Sequence, residues 1–113
     1  MSKIADFSGA ELWVIKSTLR ERYGRPVEPE PAEAELRLDP HSTELVVCPS
    51  VYWEQRGARF IVTKTGDGRY RCQFFYSVRE QYGTGIEEYN DIGECITALL
   101  QVQADHERSR QGR

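Results

Sequence analysis

The stretch that decides the fold reads Ala58-Arg-Phe-Ile-Val-Thr-Lys-Thr-Gly-Asp-Gly-Arg-Tyr-Arg-Cys-Gln-Phe-Phe-Tyr-Ser-Val78. Two β-rich runs flank Gly66-Asp67-Gly68, which has the composition of a three-residue hairpin loop with Gly68 in the left-handed conformation. If Thr65 faces Arg69, the cross-strand pairs are Lys64–Tyr70, Val62–Cys72, Phe60–Phe74 and Ala58–Tyr76. These share one face and are nearly all apolar. The other face takes Thr63–Arg71, Ile61–Gln73 and Arg59–Phe75. A four-residue loop setting Lys64 against Arg69 would oppose Val62 to Arg71 and Phe60 to Gln73, scattering the apolar set. The three-residue loop is therefore expected, with the even-numbered aromatics inward and the arginines outward.

Within this ribbon, Arg69 to Tyr76 reads RYRCQFFY, an alternation of basic and aromatic residues. A half-buried strand produces that pattern when its solvated side carries arginine. The run superficially resembles the RNP1 pattern of RRM domains, whose exposed aromatics stack on bases. Three features exclude that family: no glycine at the second position, a different order of elements, and a net charge of −3. The expected order of helix, strands and helix is similar to that of double-stranded RNA-binding domains. Their last helix starts with basic residues, whereas Asp91 and Glu94 open this one.

With 113 residues the chain has the size of one ordinary domain. Such a chain can bury roughly 65 % of its unfolded surface, enough for a core without disulfide or metal. Hydrophobic residues make up 39 % and charged residues 29 %, a globular rather than a disordered composition. The N-terminal residues lack the pattern of a signal peptide, and no apolar run suits a bilayer. A soluble, cytoplasmic protein is expected. The 15 basic and 18 acidic residues leave no electrostatic footprint for duplex DNA.

Outward from the ribbon, Ser8-Gly9-Ala10-Glu11 fits a capping box, with Phe7 and Leu12 as a hydrophobic staple. Leu12, Ile15, Leu19 and Tyr23 share one face, and Gly24 with Pro26 stops the helix, which spans about 9 to 23. Trp13 points elsewhere. Residues 25–34 read as an acidic, proline-rich connection. A hairpin of Glu35–Leu38 with Glu44–Cys48 is expected around the turn residues Asp39 to Ser42, with Pro49 ending its second strand. Val51 to Gly57 reads either as a strand turning at Gly57 or as an aromatic loop. Arg79 to Gly85 is a loop, and Ile86 to Tyr89 a short closing strand. Asp91 to Glu94 forms a second cap, and Ile92, Cys95, Ile96, Leu99, Val102 and His106 line a helix from about 92 to 107. Residues 108–113 are expected as a basic disordered tail. The fold class is α+β: one domain over residues 1–107, an antiparallel meander of four to five strands with both helices packed on one face.

Chemistry is sparsely signalled. The three cysteines, Cys48, Cys72 and Cys95, have no metal-knuckle spacing, and Cys72 and Cys95 fall at core positions. The two histidines, His41 and His106, fall at peripheries, and no nucleophile elbow or phosphate cradle is present. No catalytic residue, cofactor or metal is assigned, and an enzyme is not favoured. What remains is a mixed outer face of Arg59, Ile61, Arg71, Gln73 and Phe75, joined by Tyr52 and Trp53 if these lie on a loop. Apolar residues rimmed by arginine suit a protein interface. The expected function is that of a non-catalytic accessory or regulatory protein binding a protein partner, a second copy included. The alternatives are a ligand-binding or catalytic cleft between the sheet and loops 50–57 and 79–85, lined by Tyr52, Glu54, Arg79 and Tyr82, and a single-stranded nucleic-acid binder using Arg69, Arg71, Phe75 and the arginine tail. Nucleic acid and membrane are not expected partners.

Overall fold

The computed structural model describes residues 2–111, and side chains from 3 to 110. In chain order the elements are β1 (Ser2–Lys3), α1 (Gly9–Tyr23), β2 (Glu30–Leu36), β3 (Val46–Gln55), β4 (Ala58–Gly66), β5 (Arg69–Ser77), β6 (Glu80–Tyr82) and α2 (Ile92–Gln111). Strands β2 to β6 form an antiparallel meander in sequence order. Strand β1 pairs in parallel with Val46 and Val47. Because β2 already occupies the other edge of these residues, β1 fills the edge that β4 leaves free. The α+β class and the placement of the helices on one face are as the sequence implies.

The β4–β5 register carries the expected pairs from Arg59–Phe75 to Lys64–Tyr70. The two ends differ: Gly66, not Thr65, faces Arg69, with Thr65 the extra residue of a bulge, and the ladder stops at Arg59–Phe75, short of the expected Ala58–Tyr76 pair. Gly68 turns the chain at φ 67°. The inward row of Phe60, Val62 and Phe74 is fully buried against Ile15 and Leu19 of α1 and Cys95, Ile96 and Leu99 of α2. Each such side chain contributes about 1.5–3 kcal/mol by leaving water.

The first cap forms as expected: the Ser8 N–H donates to Glu11 Oε1 at 2.7 Å, and the Glu11 N–H to Ser8 Oγ at 3.1 Å. Gly24, at φ 72°, closes α1 by donating to the Arg20 carbonyl. At α2, Asp91 Oδ1 accepts from the Glu94 N–H at 2.9 Å.

Four boundaries depart from expectation. The connection after α1 is shorter than residues 25–34, because β2 already starts at Glu30. Its Pro31 stands on an outermost strand, where a missing donor costs no internal ladder. Strand β3 does not end at Pro49 but runs through it to Gln55. Pro49 falls where β1 has ended, at Val47, and β4 has not begun, before Ser50, so a missing N–H breaks no ladder on that edge. The closing strand is β6, and of the segment after it only Tyr89 bridges back, to Tyr70. Finally, α2 continues through Arg108 and Arg110 to Gln111, where a disordered tail was expected. Arg110 lies 4.1 Å over the Tyr76 ring and 3.7 Å from Glu80, and Arg108 pairs with Asp105. These contacts anchor the last turns. Residues 112 and 113 of the expected tail lie outside the described residues.

Candidate protein-binding face of the sheet

Both helices cover one side of the sheet; the opposite side, where most of the residues singled out from the sequence fall, is built row by row by the registers. Across β2 to β5, one row reads Glu30–Tyr52–Ile61–Gln73, and the next toward the β3–β4 turn reads Glu54–Arg59–Phe75. On the other side of the first runs Ala32–Ser50–Thr63–Arg71. Tyr52, Ile61, Arg71 and Phe75 are half-buried, while Arg59 and Gln73 are exposed. The six residues Tyr52, Arg59, Ile61, Arg71, Gln73 and Phe75 therefore stand together. The third row has a quiet centre, where the Ser50 and Thr63 hydroxyls bond each other at 2.9 Å and are buried.

Trp53 does not belong to this face. It stands on a strand and not on a loop, with inward parity like Val51, is 2 % exposed, and stacks on Phe60 at 5.1 Å. The loop reading of Val51 to Gly57 is corrected accordingly: Arg56 and Gly57, both at positive φ, make a tight two-residue turn between Gln55 and Ala58. The lining proposed for a cleft does not converge either. Tyr52 and Glu54 point outward, while Tyr82 packs against His106 at 4.2 Å and Phe74 at 5.4 Å.

The electrostatics of the face are paired. Arg59 Nε lies 3.4 Å from Glu54 Oε2. Arg71 lies 3.5 Å from Glu88 and 3.9 Å from Glu87, both on the segment that follows β6. Arg69 lies 3.9 Å from Glu88, whose carboxylate also accepts from Thr65 Oγ1 at 2.9 Å. Such partly exposed pairs are screened and replaceable, each contributing about 0–1 kcal/mol.

A second polar cluster was missed from the sequence and lies on the inner side. Lys64 Nζ donates to Glu11 Oε1 at 2.9 Å and to the Asp6 carbonyl at 3.1 Å, and Tyr70 OH donates to Glu11 Oε2. The Lys64 and Glu11 side chains are 7 % and 12 % exposed. Burial alone would raise the Glu11 carboxyl. The Ser8 N–H, Tyr70 and Lys64 outweigh it and hold the carboxyl below its ordinary value, while burial and the neighbouring Glu11 push the Tyr70 hydroxyl up. The available signal was Lys64 itself, the lone charge in the inward row, which required a buried partner. This cluster fixes α1 to the sheet.

Among the thiols, burial pushes Cys48 up, and hydrogen bonding with Cys72 together with burial pushes Cys95 up, so neither is a ready thiolate nucleophile. Among the described residues, no three His, Cys, Asp or Glu side chains group as a metal site. No described helix is long and apolar enough to cross a membrane. Comparison with known proteins found no matching family model, no matching curated protein and no matching solved structure.

Proposed function

We propose that this is a small non-catalytic accessory or regulatory protein that works by binding another protein across the outer face of the sheet. One observation carries the reading: Tyr52, Ile61 and Phe75 stand half-buried on a face that neither helix covers, rimmed by Arg59, Arg71 and Gln73. Aromatic and aliphatic anchors inside a ring of arginine and amide groups match the composition of binding hot spots, where single truncations cost about 2 kcal/mol or more. The nucleic-acid alternative is disfavoured by charge: the formal net charge is −3, and the described arginines it would use, Arg69, Arg71, Arg108 and Arg110, each lie beside a carboxylate.

The test replaces Arg59, Ile61 and Phe75 together by Ser. Proteins retained from native-cell extract by the parent, copies of the chain included, should be lost by this variant while its cooperative thermal transition is kept. Equal retention by both would refute the face as the binding surface.

A further inference from the structure

We infer that the partner on the outer face is a second copy of this chain, related by a two-fold axis that lies between β3 and β4 and parallel to them. This rests on the reading of the outer face as the binding surface. The argument comes from the ladder. Tyr52 stands directly opposite Ile61, Glu54 opposite Arg59 and Ser50 opposite Thr63 across the β3–β4 pair. A two-fold axis in the plane between two stacked sheets, running along the middle of that pair, carries each strand onto the other. Every residue of β3 and β4 then meets its own cross-strand partner in the opposite copy, as an isologous contact requires. Tyr52 packs on the partner copy's Ile61 and the reverse, and Glu54 meets the partner copy's Arg59 and the reverse, while the Ser50–Thr63 hydroxyl pair is already buried within each copy. One step outward, Gln73 of β5 lies over Glu30 of β2 in the other copy, again polar on polar. Along the β3–β4 pair the face is thus complementary to itself, apolar at Tyr52–Ile61 and opposite in charge at Glu54–Arg59, while Arg71 falls over Ala32 of β2.

Its size sets the strength. The four strands β2 to β5, spaced about 4.8 Å apart and about seven residues long at about 3.3 Å each, cover roughly 440 Å² per copy. That is below the about 800 Å² per partner of a standard stable interface, so association at micromolar concentration is expected in place of an obligate dimer.

The test is sedimentation equilibrium of the full chain between about 1 and about 200 µM, a range that brackets such a Kd. The mass should rise from 13.0 kDa toward twice that value. Glu54→Arg and Arg59→Glu should each weaken self-association at least about tenfold, since each sets like charges together twice. An equimolar mixture of these two variants should associate again, because the two-fold arrangement then pairs opposite charges at both contacts. A parent that stays monomeric throughout overturns the inference; if the triple Ser variant still loses a protein that the parent captures, the outer face survives as the binding surface for a different protein. Dimerisation that neither charge variant weakens, or that the mixture fails to restore, overturns the two-fold arrangement.

Discussion

The two faces of the β4–β5 ribbon place charge in opposite ways. Inward, Lys64 is enclosed and bound to Glu11 and to the Asp6 carbonyl, with Tyr70 on the same carboxylate. Outward, Arg59 and Arg71 lie half in water beside Glu54, Glu87 and Glu88. An enclosed pair cannot exchange partners without stranding a charge. A solvated pair can, at little cost. The inner face is therefore committed to the fold, while the outer face keeps charges and rings that a second protein can take over.

The largest way to break this contrast is Phe74→Asp, which places an unpaired carboxylate among Phe60, Tyr82 and His106. It should leave no cooperative thermal transition; melting like the parent would refute the inward placement. Next comes Glu11→Gln, which leaves the Lys64 ammonium buried without its counter-charge and should cost about 3–5 kcal/mol in urea unfolding. The further change Lys64→Met should recover most of that loss, because no buried charge then remains.

The same carboxylate gives a pH dependence. Its folded value lies below the ordinary 4.5. The stability it contributes is thus fully present above pH 4.5 and is lost as the pH falls through the lower folded value. Acid melts should fall more steeply for the parent than for Glu11→Gln, and equal slopes would contradict the assignment.

A smaller effect sharpens the turn geometry. Arg56 occupies the left-handed region at φ 54°, in a turn that favours Asn-Gly. Arg56→Asn should therefore raise stability by about 0.5–1 kcal/mol, seen as a melting temperature higher by a few degrees. The smallest effect belongs to the outer face. Ile61→Ser or Gln73→Ser should shift stability by less than about 1 kcal/mol in dilute protein.

How much of this was legible follows from the residues. The ribbon was readable because Phe60, Val62, Cys72 and Phe74 alternate with polar neighbours, so only one register gathers them. The position of the bulge at Thr65 was not, since a bulge changes which residues turn without changing which face they take. Val51-Tyr52-Trp53 gave no parity: three large apolar residues in a row fit either face. Only pairing with Val62, Ile61 and Phe60 settles Tyr52 as outward and Trp53 as inward. Pro49 misled because its tolerance depends on where two other strands begin and end. The Lys64–Glu11 contact spans 53 positions and is set by packing, although the capping role of Glu11 was plain. Six of the seven residues proposed for the site do share one face; the seventh, Trp53, is core.

Oxidative footprinting with mass spectrometry, repeated as protein concentration rises, tests the central contrast most directly. Phe60 and Phe74 should stay unlabelled throughout, and Trp13, 70 % exposed, should label equally at every concentration. Labelling of Tyr52 and Phe75 should be clear in dilute protein and fall as copies associate. Heavy labelling of Phe60 and Phe74, or Tyr52 and Phe75 as protected as these in dilute protein, would contradict the account; clear Tyr52 and Phe75 labelling that never changes with concentration would overturn self-association alone.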